Sequence, residues 1–185
     1  YQIKTTAATS FDVSGLAVVP ELTPITVPTG WSILGYMRQS PADIELMLID
    51  LTINNNLIIA KDYLGNIYWP LYFLDNIGDM LPGDGYQIKM NGSASLTYLA
   101  NSAPISSGSK TNINKPVYYD DIQNTGNNMS LGIPVDAWTA VPNVGDEIGV
   151  FNPGGELIGS GVFNNNFTAI TIWGQEVLNS EDVTT

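Results

Sequence analysis

The chain has 185 residues, 44% hydrophobic and 10% aromatic, enough to bury the core of one large or two small domains and too apolar for a disordered tail. Against 6 basic residues stand 18 acidic ones, and the net charge of -12 would repel a phosphate backbone, which argues against nucleic acid as a partner. With no Cys and no His, the chain lacks disulfides, thiolate metal sites, Ser-His-Asp and Cys-His chemistry and the commonest transition-metal ligand.

The opening Tyr1-Gln2-Ile3-Lys4 recurs as Tyr86-Gln87-Ile88-Lys89. Each copy leads through a small polar stretch into an alternating segment, Ser10-Phe11-Asp12-Val13 or Ser95-Leu96-Thr97-Tyr98. The recurrence is either chance or a tandem repeat of a small domain; on the second reading residues 1–19 are the end of a preceding unit. "PELTPITVPTG" (Pro20 to Gly30) has three prolines that disfavour helix, so 20–29 reads as a linker or edge strand.

A module is expected over 30–100. "GWSILGYM" (Gly30 to Met37) reads as a buried strand with Trp31 in the core. "SPADIELMLIDL" (Ser40 to Leu51) predicts the one helix, with Ser40 as N-cap, Pro41 at its first position, Asp43 and Glu45 in the first turn, and Ile44, Leu48 and Leu51 at helical spacing. Asn54-Asn55-Asn56 stops it. "LIIAKD" (Leu57 to Asp62) and "NIYWPLYFL" (Asn66 to Leu74) predict a hairpin around Leu64-Gly65-Asn66, "LPGDG" (Leu81 to Gly85) turns into the "YQIKM" strand, and "SLTYL" (Ser95 to Leu99) closes the unit.

Residues 101–116, rich in Ser, Asn and Gly without periodicity, read as a second linker. In 117–185, "MSLGIP" (Met129 to Pro134), "DEIGVFN" (Asp146 to Asn152), "ELIGSGVF" (Glu156 to Phe163) and "TAITIWG" (Thr168 to Gly174) predict four strands separated by turn compositions such as "NPGG" and "NNN". Trp138 and Trp173 are expected to pack within this module. Gln175 to Thr185 fades into polar chain, so the module reads as incomplete. The fold class expected is mainly β, an α+β chain with one short helix, built as two antiparallel β-sandwich-like modules in tandem. No stretch approaches the length of about 18 apolar residues needed for a membrane span, so no transmembrane segment is expected.

The carboxylate pairs Asp120-Asp121, Asp146-Glu147 and Glu181-Asp182 are the strongest acid-base groups, and glycosidases do work with two carboxylates. Neighbours on a strand point to opposite faces, however, so no catalytic residue is assigned and no enzyme is expected. "NPGGELIG" lacks the Lys-Ser/Thr end of a phosphate loop. Aromatic rings on a rigid sheet are what sugars stack on, which makes Tyr68, Trp69 and Tyr72 of "YLGNIYWPLYF" the ligand-binding candidates. Alternation places Tyr68 and Trp69 on opposite faces, so one of them is expected in the core. No cofactor is required; calcium is the one the charge balance suggests. Its oxygen ligands would be Asp62, Asp75 and Asp79, in loops that lack the spacing of known calcium loops and read first as turns.

Two longer passages carry a resemblance. "GWSILGY … ADI … NLIIAKDYLGNIYWP … IGDMLPGDGYQIKM" resembles a module of large secreted and surface proteins of flavobacteria and related Bacteroidetes, and "NNMSLGIPVDAWTAVPNVGDEIGVFNPGGELIGSGVFNNNFTAITIWG" resembles another from the same kinds of protein. The resemblance covers about residues 24 to 99 and 117 to 174. It implies an extracellular, multidomain, cell-surface protein of the type IX secretion kind, and supplies no catalytic residues. The sorting domain such proteins carry is not in this sequence, and the strands that follow "TIWG" in similar modules are missing. The expectation is a non-enzymatic structural or adhesive segment of an extracellular or filament-forming repeat protein. Its partners would be neighbouring repeats or subunits, through strand exchange, and surface glycans. The alternatives are a carbohydrate-binding module and a phage or viral fibre protein.

Overall fold

The structure, a computed structural model, describes residues 7–10, 12, 14–105, 107, 108, 110 and 115–175. Tyr1-Gln2-Ile3-Lys4, Phe11, Val13 and Glu181-Asp182 lie outside the described residues. Two compact units are present, one made of the described residues up to Asp62 with Ile67–Lys110, the other of Tyr63–Asn66 with the described residues after Thr111.

The first unit contains β1 (Ile25–Val27), β2 (Gly30–Gly35), β3 (Ala42–Asp43), α1 (Ile44–Met47), α2 (Ile49–Ile53), β4 (Leu57–Lys61), β5 (Ile67–Trp69), β6 (Leu74–Asp75), β7 (Asp79–Met80), β8 (Gly85–Met90) and β9 (Ala94–Leu96). Its main sheet has the order β2-β8-β4-β5-β6, and β1-β9 and β3-β7 form separate two-stranded pairs, all antiparallel. The period of 2 in "GYQIKM" turns Tyr86, Ile88 and Met90 to one face and Gln87 and Lys89 to the other. Leu34 lies opposite Tyr86, and Ala60 opposite both Ile88 and Tyr68, so these residues share one sheet face and make its centre apolar. That face joins a core with Ile44, Met47, Leu48 and Leu51 of the helical segment and Val27 and Leu96 of β1 and β9. Each fully buried aliphatic side chain contributes about 1.5–3 kcal/mol.

The single helix expected over Ser40–Leu51 is instead two short ones, and the cap is Asp43 rather than Ser40. Ala42 and Asp43 are taken by pairing with Met80 and Asp79, which postpones the helix to Ile44, and the Asp43 side chain accepts the Glu45 amide at 2.8 Å. At Leu48 the backbone leaves the helical region (φ -105, ψ 14). Its carbonyl accepts from the Thr52 hydroxyl at 3.1 Å as well as from the Leu51 and Thr52 amides, and this back-bonding by Thr bends the chain there.

Trp31 is not in the core. β2 is the edge of the main sheet, only its Leu34 side faces the core, and Trp31 and Ile33 are 54% and 55% exposed on the other face. The segment read as a linker from residue 101 is partly laid onto the first unit. Gln39 N–H donates to Asn101 Oδ1 at 2.7 Å, Gly108 N–H donates to Asp79 Oδ1 at 2.6 Å, and Ile105 packs against the core.

The second unit is a four-stranded antiparallel sheet of β10 (Asn128–Ile133), β11 (Glu147–Phe151), β12 (Leu157–Val162) and β13 (Thr168–Trp173), in the order β10-β13-β12-β11. Val162, Phe163, Ile170 and Trp173 are buried, and Trp138 meets Phe163 edge to face with centroids 6.2 Å apart. Gly159 and Gly161 let β12 approach β13. A Cβ on Gly159 would stand 2.8 Å from the Thr171 carbonyl oxygen, and one on Gly161 2.9 Å from the Ile170 side chain. Among the described residues no helix is long and apolar enough to cross a membrane.

Candidate functional site

The three aromatic candidates part company at the hairpin of β5 and β6, where Tyr68 is opposite Asp75 and Trp69 opposite Leu74. Tyr68 is 4% exposed and belongs to the core. Burial pushes its hydroxyl's pKa up, against a smaller opposing effect of a hydrogen bond with the Thr52 side chain. Trp69 ends β5 on the opposite face. Pro70 then sets the φ that opens a 3-10 turn over Pro70–Tyr72, and Tyr72 folds back so that its ring meets Trp69 edge to face, centroids 5.0 Å apart at 80°.

Two neighbours not named as ligand residues complete this corner. Leu71 and Phe73 are 72% and 92% exposed, and Phe73 holds the left-handed conformation (φ 53, ψ 36) while its amide donates to the Pro70 carbonyl at 3.1 Å. A bulky residue in that region costs about 1–2 kcal/mol, and its side chain here recovers little by burial. Leu71, Tyr72 and Phe73 thus form an apolar lip with the Trp69 ring beside it. No glycine marks the left-handed position in the sequence, so the strain was not legible there.

The three carboxylates proposed for calcium do not converge. Among the described residues no group of three acidic side chains is placed to hold a metal ion. Asp75 is 3% exposed, and its Oδ1 accepts the amides of Ile77 (2.9 Å) and Gly78 (2.8 Å); burial raises its pKa in spite of those bonds. Asp79 accepts the Gly108 amide, while facing Asp43 directly across the β3–β7 pair. Asp62 is half-buried just beyond β4. Glu45 has its pKa raised by burial first and then by the charges of Asp43 and Asp75. In the second unit the Glu147 carboxylate accepts the amides of Val117, Tyr118 and Tyr119, and Asp146 accepts that of Asn143. Chemically these are loop fasteners, with acceptor oxygens closing turns onto backbone donors.

The cations are placed with equal economy. Lys61 and Lys89 each hold the ammonium 5.6 Å from the Trp31 ring centroid, a cation–π arrangement on the outer face of the main sheet. Arg38, the chain's one arginine, is 3% exposed. Its Nη2 donates to Ser40 Oγ (3.3 Å) and the Ala103 carbonyl (3.4 Å), and its Nε and Nη1 are buried without a hydrogen-bond partner among the described residues.

No protein-family model, curated protein or solved structure matches this chain.

Proposed function

We propose that the chain is a non-enzymatic structural and adhesive segment of an extracellular, cell-surface protein. The observation that carries this reading is the use of the carboxylates. Asp43, Asp75, Asp79, Asp146 and Glu147 each close a turn or brace a strand through a backbone amide, which is the work of a scaffold presenting surfaces. An acidic exterior with few Lys keeps such a segment soluble and repels polyanions. The contacts would come from the exposed apolar lip at Leu71–Phe73 and the open edge of β2. Labelling of intact source cells by an antibody against the folded chain tests the reading; signal only after permeabilisation rejects it.

A carbohydrate-binding role is the second reading, favoured by the Trp69–Tyr72 pair with the strained, exposed Phe73 beside it. Strain retained at an exposed aromatic is a cost that a contact would offset. Retardation of the chain in gels containing polysaccharide, lost in Trp69→Ala with the fold intact, is the expected behaviour. Equal mobility with and without every polysaccharide tried rejects it.

A further inference from the structure

We infer that the outer edge of β2 pairs with the same edge of a second copy of this chain, joining two main sheets into one across a two-fold axis at Ser32. The inference rests on the structural reading above and names its partner. It starts from hydrogen-bond parity. One step beyond the Gly35–Gly85 pair, the Tyr36 amide donates to the Asp84 carbonyl at 3.1 Å. In an antiparallel ladder bonded and non-bonded pairs alternate. The bonded pairs are therefore Leu34–Tyr86 and Ser32–Ile88, and Trp31, Ile33 and Gly35 direct their N–H and C=O groups away from β8. The Gly35 carbonyl already accepts the Tyr98 hydroxyl at 3.1 Å. Among the described residues no strand pairs with the outward backbone groups of Trp31 and Ile33, which lie on an edge strand with no Pro and no charge, the usual devices that block pairing.

What fits such an edge is another extended strand, and this strand is complementary to itself. In an antiparallel pairing about Ser32, Trp31 of one copy lies opposite Ile33 of the other, in a bonded pair that exchanges both hydrogen bonds, and the two-fold repeats it. Roughly four main-chain bonds form, and each exposed Trp31 ring acquires a branched Ile33 as its cross-strand neighbour. The strand's own charge does not oppose this meeting point. In a chain of net charge -12, "GWSILG" itself is neutral, and the charged groups over Trp31 are Lys89 and the buried Lys61, so the strand carries none of the chain's excess negative charge into the pairing.

Sedimentation velocity of the full chain over a concentration series tests the inference. The expected result is a reversible monomer–dimer equilibrium ending at twice the 19.9 kDa chain mass. Ile33→Pro removes an outward amide that the β8 ladder does not use, and Ile33→Lys puts a charge on the edge; both are expected to give monomer with unchanged circular dichroism. Should Ile33→Pro not fold, Ile33→Lys still decides. The chain lacks Cys, so Ser32→Cys places a lone thiol on the axis, where a non-bonded pair brings Cα atoms to about 4.5 Å, within disulfide reach. Mild oxidation is expected to convert Ser32→Cys to covalent dimer faster than Ser102→Cys. A monomer at every concentration, a dimer indifferent to both Ile33 substitutions, or equal oxidation of the two thiols overturns the inference. Surface labelling of cells separates these failures from failure of the adhesive reading, because a surface protein need not self-pair.

Discussion

Both carboxylate oxygens of Glu147 lie within hydrogen-bonding distance of the Tyr118 amide, at 3.1 and 2.9 Å. With the Val117 and Tyr119 amides they fasten residues 117–119 to the start of β11, and the Tyr119 ring then meets Phe151 edge to face. These bonds, that from Val117 foremost, hold the Glu147 pKa below its ordinary 4.5. A lowered folded value means that the stabilisation is complete above the unfolded value and is lost as pH falls through the folded one. The melting temperature of the wild type is therefore expected to fall through the acid range more steeply than that of Glu147→Gln. Parallel pH profiles for the two would contradict the assignment.

Asp75 has the opposite sign. Burial raises its pKa above 3.8, so folding favours the protonated, uncharged form: its contribution to stability is full below the unfolded value and is lost as pH rises through the folded one. Asp75→Asn keeps an acceptor for the Ile77 and Gly78 amides without the buried charge. It is expected to match the wild type in acid and equal or exceed it in denaturant midpoint at neutral pH. Asp75→Ala leaves two amides without their acceptor and is expected to cost about 1–3 kcal/mol. The denaturant midpoints of the two variants at neutral pH decide between acceptor and charge.

Phe73→Asn places a residue that tolerates the left-handed region where a bulky one now stands, and removes a side chain that is 92% exposed. A gain of up to about 1 kcal/mol in unfolding free energy is expected. If the lip binds sugar, the same variant loses retention while gaining stability, a pairing of effects that a purely structural turn does not produce.

Arg38→Met keeps the stem's bulk and removes a guanidinium whose Nε and Nη1 are buried without hydrogen-bond partners among the described residues. The melting temperature is expected to stay level or rise. A loss of about 3 kcal/mol would show instead that the guanidinium is strongly partnered.

The longer strands of both units were legible because their apolar residues alternate or run between turn signals, whereas the strand expected over Asn66–Leu74 is split by the 3-10 turn that Pro70 opens into β5 and β6. "YQIKM" was read as the strand that is β8, and "TAITIWG" as the strand that is β13. The helix was half legible. Its apolar spacing was read, but Ala42–Asp43 joined a strand pair with Asp79–Met80, a long-range contact that local propensity does not contain. Trp31 was misplaced because an apolar run looks the same on a central strand and on an edge; strand order decides which face is open. At the aromatic corner, alternation separated Tyr68 from Trp69, whereas the left-handed Phe73 left no trace in residue type.

The most direct test of the central claim is to treat intact source cells with a protease that cannot cross the envelope and identify the released peptides by mass spectrometry. The account predicts peptides of this chain from intact cells, including ones spanning the exposed Leu71–Phe73 lip. Their appearance only after lysis, with intact cells shedding other surface proteins, would contradict it.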